Sequence, residues 1–254
     1  MTPTPAPTLS LYSRVILITG AARRLGAAMA SHLHADGAKI VVHYRNSSDD
    51  ADALVDSLNA LRRDSAKSVQ ADLSDPDAIE PLAKAAIEAF GQIDILVNNA
   101  SSFYPTPVGT VTASQWDDLM ASNLRAPFFL SQALSSELRL RKGAILNMVD
   151  IHASRPLADH PVYCAAKAGL VMLTQSLAKD LGPDVRVNAI APGPVMWPEN
   201  DMDESSKTAI VDSTLLQRSG NPDDIARAAR FLLRDATFTT GQILAIDGGR
   251  SLRD

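Results

Sequence analysis

Tyr163 and Lys167 stand four residues apart in H-P-V-Y-C-A-A-K, on what reads as the first turns of a helix, so both side chains leave one face. A phenol is a weak acid at neutral pH. A nearby ammonium stabilises the phenolate and brings the pKa towards the working range. Asp150 closes the preceding apolar run 144–149 and adds a carboxyl group. A proton donor, its tuner and a second acid are therefore expected where a strand ends and a helix begins. Taken alone, Y-x-x-x-K is common by chance, so its weight depends on what the rest of the chain supplies.

Seven short runs of β-branched and aliphatic residues recur with helix-like segments between them: Val15–Ile18, 40–42, 68–70, 93–97, 144–149, 186–190 and Ile243–Ile246. Such alternation reads as a doubly wound α/β fold, a seven-stranded parallel sheet with helices on both faces. At 254 residues the chain suits a single domain. That domain is expected over residues 13–254, after a loose, proline-alternating tail over residues 1–12. Hydrophobic residues at 46% and charged residues at 21% are ordinary for a globular protein, and a net charge of -5 offers no basic footprint for nucleic acid. No apolar run approaches the roughly 20 residues that span a bilayer, so no membrane partner is expected. The first residues lack the basic and apolar regions of a secretory signal, and Cys164 alone forms no internal disulfide, which fits a reducing cytoplasm. The five histidines show no metal-ligand spacing, so no metal is expected.

The first run leads into T-G-A-A-R-R-L-G and then a helix-like segment. Gly20 lets the chain turn out of the strand, Gly26 lets the helix approach the sheet, and free N–H groups at the helix start can hold a pyrophosphate. The second run ends in H-Y-R-N-S, with no acid to grip a ribose 2′-hydroxyl. It offers His43, Arg45, Asn46 and Ser47 instead, and with Arg23 these suit a 2′-phosphate, so NADP is expected rather than NAD. Asp72, after the third run, can accept from an adenine amino group. Asn98 and Asn99 can satisfy backbone groups at the end of the fourth run, where Ala100 leaves room. Asn123 falls inside an apparent long helix, where it is mildly unfavourable, so it is either a buried, hydrogen-bonded side chain or the holder of a relay water.

Together T-G-x-x-x-x-x-G, N-N-A, Asn123, Tyr163-x-x-x-Lys167 and V-N-A-I-A-P-G resemble the short-chain dehydrogenase/reductase superfamily, from about residue 14 to residue 249. The resemblance implies a Rossmann domain in which Tyr163 is the general acid, Lys167 lowers its pKa and binds ribose hydroxyls, and Asn123 supports the relay. The NADPH contacts it implies add Arg24, Leu25, Tyr44, Leu73, Pro192 and Gly193 to Gly20, Arg23, Gly26, His43, Arg45, Asn46, Ser47, Asp72, Asn99, Ala100, Tyr163 and Lys167.

Departures from the family pattern point further. Arg24 stands where a glycine is usual, Asp150 where a serine is, Ser101 where a glycine follows N-N-A, and Trp197 where a threonine is. With T-G-A-A-R-R-L-G, H-Y-R-N-S, N-N-A-S-S-F-Y-P-T-P and M-V-D, the chain is similar to the pteridine reductases. That likeness makes Arg24, Ser101 and Phe103 pterin contacts beside Asp150 and Tyr163. It implies NADPH-dependent reduction of dihydropterins, dihydrofolate as a secondary substrate, and a homotetramer. A flat heterocycle suits the aromatic face of Phe103, and a ring nitrogen that must gain a proton suits a carboxyl group at position 150. The polar segment 192–208 reads as a loop that acts as a lid, the substrate lid being expected around 194–215, with Trp197 closing over the substrate. The rival readings are a reductase of 3-oxoacyl thioesters or other small ketones, and a non-catalytic NADP sensor.

Overall fold

The computed structural model describes residues 9–196 and 203–253. Seven strands, β1 (Val15–Ile18), β2 (Lys39–Tyr44), β3 (Ala66–Gln70), β4 (Ile95–Asn98), β5 (Ala144–Met148), β6 (Arg186–Pro192) and β7 (Ile243–Ile246), form one sheet. Their order is β3-β2-β1-β4-β5-β6-β7, and every adjacent pair is parallel. Helices α1 (Arg24–Ala35), α2 (Ser48–Leu61), α3 (Ile79–Phe90), α4 (Ala113–Met120), α5 (Ala126–Ala133), α6 (Ser135–Leu140), α7 (Pro161–Leu181), α8 (Glu204–Asp212) and α9 (Pro222–Arg230) fill the connections. No described helix is long and apolar enough to cross a membrane.

Alternation along each strand divides its side chains between two cores. Ile16 and Ile18 join Met29 and Leu33 of α1, Leu58 of α2 and Ile225 of α9. Val15 and Leu17 join Leu82 of α3, Leu130 of α5 and Leu177 of α7 on the other face. Burial on both faces is why the central strands are unbroken apolar runs, each such side chain contributing about 1.5–3 kcal/mol. The edge strand β3 starts two residues before its expected run, because the buried Ala66 and the exposed Lys67 also pair, with Ile40 and Val41 of β2.

Two expected boundaries are corrected. The loose tail does not reach residue 12: Leu9 N–H donates to Arg234 O at 3.0 Å, and Leu11, 2% exposed, packs in the α1 core. The lid span is not all loop, since α8 occupies its second half, capped by Asp203, which accepts from Ser206 N–H at 2.8 Å. Trp197 lies outside the described residues.

Parallel pairing brings the carboxyl ends of all seven strands to one edge of the sheet. The chain leaves β1 for β2 and β3 on one side and for β4 to β7 on the other. Ligands of such sheets bind in the crevice at this switch point.

Candidate active site

Between β1 and α1 the chain turns at Gly20, φ +60°, where a Cβ would sit 3.0 Å from Ala100 Cα. Gly26 serves the expected close approach and one more. A Cβ there would meet Gly20 O, lie 2.7 Å from Ala21 Cα and 2.8 Å from Asn99 Nδ2, so its absence lets α1 fold onto its own loop and approach the end of β4. Arg24, at φ +55°, takes the left-handed conformation that suits glycine. Arg23, the N-cap residue of α1, makes no side-chain cap, so the first-turn N–H groups of α1 have no cap side chain.

The ends of β1 and β4 are tied by Thr19, whose Oγ1 accepts from Asn99 N–H at 2.9 Å and Ala100 N–H at 3.0 Å. Asn99 Nδ2 donates back to Thr19 O and Gly20 O. Asn98 points into the sheet and donates to Asn147 Oδ1 at 2.8 Å, and Asn147 donates to Thr174 Oγ1 on α7. Thr19 and Asn147 went unnoticed as functional supports in the sequence; the only signal for Thr19 is its place immediately before Gly20.

His43 is a correction. It is expected beside a cofactor phosphate, yet it is 2% exposed, and burial lowers its pKa to about 4. The neutral ring accepts from Gly20 N–H through Nδ1 at 3.1 Å and donates from Nε2 to Ala71 O at 3.2 Å. It holds the glycine loop to the sheet and offers no cation. Arg23 donates to Ser47 Oγ at 2.7 Å and pairs with Asp50 at 3.0 Å, both partners near the start of α2. Arg45 lies 4.0 Å from Asp72, whose carboxyl is held below its usual pKa by the hydroxyl and N–H of Ser74. These exposed pairs are each worth about 0–1 kcal/mol and are readily exchanged for a stronger anion. Asn46 is exposed at the same strand end. Leu25 and Tyr44 pack against the α1 core and Leu73 sits in the opposite one. At the end of β6, Gly193 N–H donates to Ile246 O just after Pro192, and a Cβ on Gly193 would be 2.6 Å from Asp247 Cα.

The proton-handling residues converge at the end of β5. Asp150 caps the short turn Ile151–Ala153 by accepting from His152 N–H at 2.8 Å through Oδ1. Its other oxygen accepts the hydroxyl of Tyr163 at 2.7 Å. The pairing expected between the acid and the phenol is present, and the capping role accompanies it. Lys167 instead turns its ammonium to Met148 O at 2.8 Å, with Nζ 5.6 Å from the Tyr163 ring centre.

The expected lowering of the phenol pKa is reversed. Burial, then the adjacent Asp150 charge, raise the Tyr163 hydroxyl well above the usual phenol value. Burial lowers Lys167 to about 8, with Asp150 opposing it. The spacing Y-x-x-x-K gives proximity but not the direction of either side chain, and here the carboxylate is closer to the phenol than the ammonium is. One of the three ammonium N–H groups has an acceptor among the described residues.

Asn123 is fully buried in a π-helical segment, Ala121–Arg125, between α4 and α5. Such a bulge often marks a functional site. Its amide donates to Leu119 O and Ser102 O, and its carbonyl accepts from Ser101 Oγ at 2.6 Å. The first of its two sequence readings, a buried and hydrogen-bonded side chain, is observed. Phe103, 50% exposed, meets the Tyr163 ring edge-on at 4.8 Å. Its face is stacked on His160 at 4.7 Å, a residue that sequence reasoning missed. Ser101, Phe103, Asn123, Asp150 and Tyr163 are thus brought together, and Arg24 opens α1 directly after the glycine loop. Chemically, the site can hold a proton on a buried phenol backed by a carboxylate, beside an uncapped helix start and an ammonium with donors to spare.

The enoyl-(acyl carrier protein) reductase family model matches residues 20–251. Pteridine reductase 1 of Leishmania tarentolae is 35% identical, covering 96% of this chain and 99% of that protein. A 3-oxoacyl-[acyl-carrier-protein] reductase of Synechocystis is 36% identical, covering 94% and 98%. Among solved structures, a blue fluorescent protein from a metagenomic library, in complex with NADPH, superposes with a TM-score of 0.89 at 35% identity, covering 95% of this chain and 99% of that one. With a parallel seven-stranded sheet and these likenesses along nearly its whole length, the chain belongs to the short-chain dehydrogenase/reductase superfamily of oxidoreductases.

Proposed function

We propose that this oxidoreductase is an NADPH-dependent pteridine reductase that converts 7,8-dihydropterins to tetrahydropterins, with dihydrofolate as a secondary substrate. The observation that carries the reading is the 2.7 Å hydrogen bond from Tyr163 to a carboxylate at position 150, where the superfamily pattern has a serine. The 35% identical pteridine reductase supports it.

NADPH, when bound, supplies the hydride. The chain fits that cofactor: α1 has no side-chain cap, Lys167 keeps donors for ribose hydroxyls, and Arg23, Arg45, Asn46 and Ser47 suit a 2′-phosphate. The NADPH complex of the 35% identical structure supports the choice. Asp150 orients the Tyr163 hydroxyl and keeps it protonated, so a proton is held ready for a ring nitrogen on the substrate. Phe103 gives that substrate an aromatic face, and Ser101, fixed by Asn123, gives its edge a hydroxyl.

The same proposal takes the protein to be a cytoplasmic homotetramer. Exposed Phe128, Phe129 and Met172 on α5 and α7 give a second copy apolar surface. The Synechocystis relative supports a second reading, reduction of 3-oxoacyl thioesters. Following NADPH oxidation with dihydrobiopterin, dihydromonapterin, dihydrofolate and an acetoacetyl thioester separates the two. Turnover of a dihydropterin, strongly reduced by Tyr163→Phe, is expected; consumption of the thioester alone would replace the first reading by the second.

A further inference from the structure

We propose that His160 is a positioning residue that fixes Phe103 as one wall of the substrate slot and thereby favours flat, conjugated rings; this rests on the pteridine reductase reading of the site. His160 is the N-cap residue of α7, three positions ahead of Tyr163. Its ring orientation is set locally, because Nδ1 donates to Ala158 O at 2.7 Å, and a carbonyl only accepts. The imidazole then lies 13° from parallel to Phe103 with ring centres 4.7 Å apart, the offset geometry that aromatic pairs prefer. Phe103 in turn stands at 81° to Tyr163. Three rings in series connect the loop after β4 to the helix that carries the proton donor.

Two further bonds make the connection rigid. Thr106 N–H, on the Phe103 loop, donates to Asp159 O at 2.6 Å, one residue before His160. Leu157 N–H donates to Cys164 Sγ at 3.3 Å, which holds the segment ahead of α7 against the helix. Phe103 is thus backed on one face by the imidazole and still has half its surface open. A loop phenylalanine without that backing could rotate, and a planar substrate would lose a preformed wall. A flexible acyl thioester draws little from such a wall.

Steady-state kinetics at saturating NADPH, with dihydrobiopterin and an acetoacetyl thioester as substrates, test this in wild type, His160→Ala and His160→Phe. Loss of one stacked pair should raise the dihydrobiopterin KM of His160→Ala about three- to tenfold, with kcat within about twofold. The thioester KM should stay put, and His160→Phe, which can stack, should restore the dihydrobiopterin KM. Should His160→Ala fail to fold, the comparison of His160→Phe with His160→Leu reads the same effect. An unchanged or lowered dihydrobiopterin KM, or a rise that phenylalanine does not rescue, overturns the proposal alone. Wild-type turnover of the thioester only would overturn the pterin reading and this proposal with it.

Discussion

Replacing Asp150 by Asn separates its two roles. The Oδ1 bond to His152 N–H can survive, since Asn caps turns about as well as Asp, so the fold should hold within about 1 kcal/mol. The Oδ2 bond from Tyr163 loses its charged acceptor. Hydrogen bonds to charged groups contribute about 1.5–3 kcal/mol; if the phenol needs that bond to keep its proton aimed at the substrate, kcat for a dihydropterin falls roughly 10- to 150-fold. The Tyr163 pKa should also drop, because one of its two main raising influences is gone, while burial keeps it elevated. Stopped-flow NADPH oxidation gives kcat, and ultraviolet difference titration of the tyrosinate gives the pKa. A variant that is folded and turns over dihydropterin at the wild-type rate would refute the reasoning.

The free-enzyme profile of kcat/KM should fall above about pH 8, where Lys167 loses its proton; because Asp150 raises that pKa, Asp150→Asn should move the alkaline limb to lower pH. Replacing both Arg23 and Arg45 by Ala should raise the NADPH KM roughly tenfold or more with little change for NADH, measured by initial rates with each cofactor. The His43 pKa of about 4 lies below its unfolded value, so its contribution is complete above pH 6.5 and is lost as pH falls through 4. His43→Leu should flatten the acid side of a urea-denaturation stability profile across that window, and leaving Gly20 N–H unpaired should cost about 1–3 kcal/mol at neutral pH.

Much of this architecture is legible in the sequence because buried parallel strands must be apolar on both faces, as Val15 to Ile18 are. The meeting of Asp150 with Tyr163 is legible as well, since one follows the apolar run that forms β5 and the other lies in the first turn of the next long helix. What escaped the sequence depends on side-chain direction. His43 reads as a cation until burial and its two backbone partners are seen. Lys167 reads as the partner of the phenol until Met148 O claims it. The π-helical turn at Asn123 and the stack of His160 on Phe103 arise from tertiary packing, which local propensity does not encode.

Position 150 is where the choice between a C=N and a C=O substrate is expected to be made. The most direct measurement is therefore the ratio of kcat/KM for dihydrobiopterin to that for an acetoacetyl thioester, in wild type and in Asp150→Ser. The expected result is a high ratio in wild type that collapses in the serine variant through loss of the pterin reaction alone. A ratio that serine leaves unchanged, or a wild type that prefers the thioester, would contradict it.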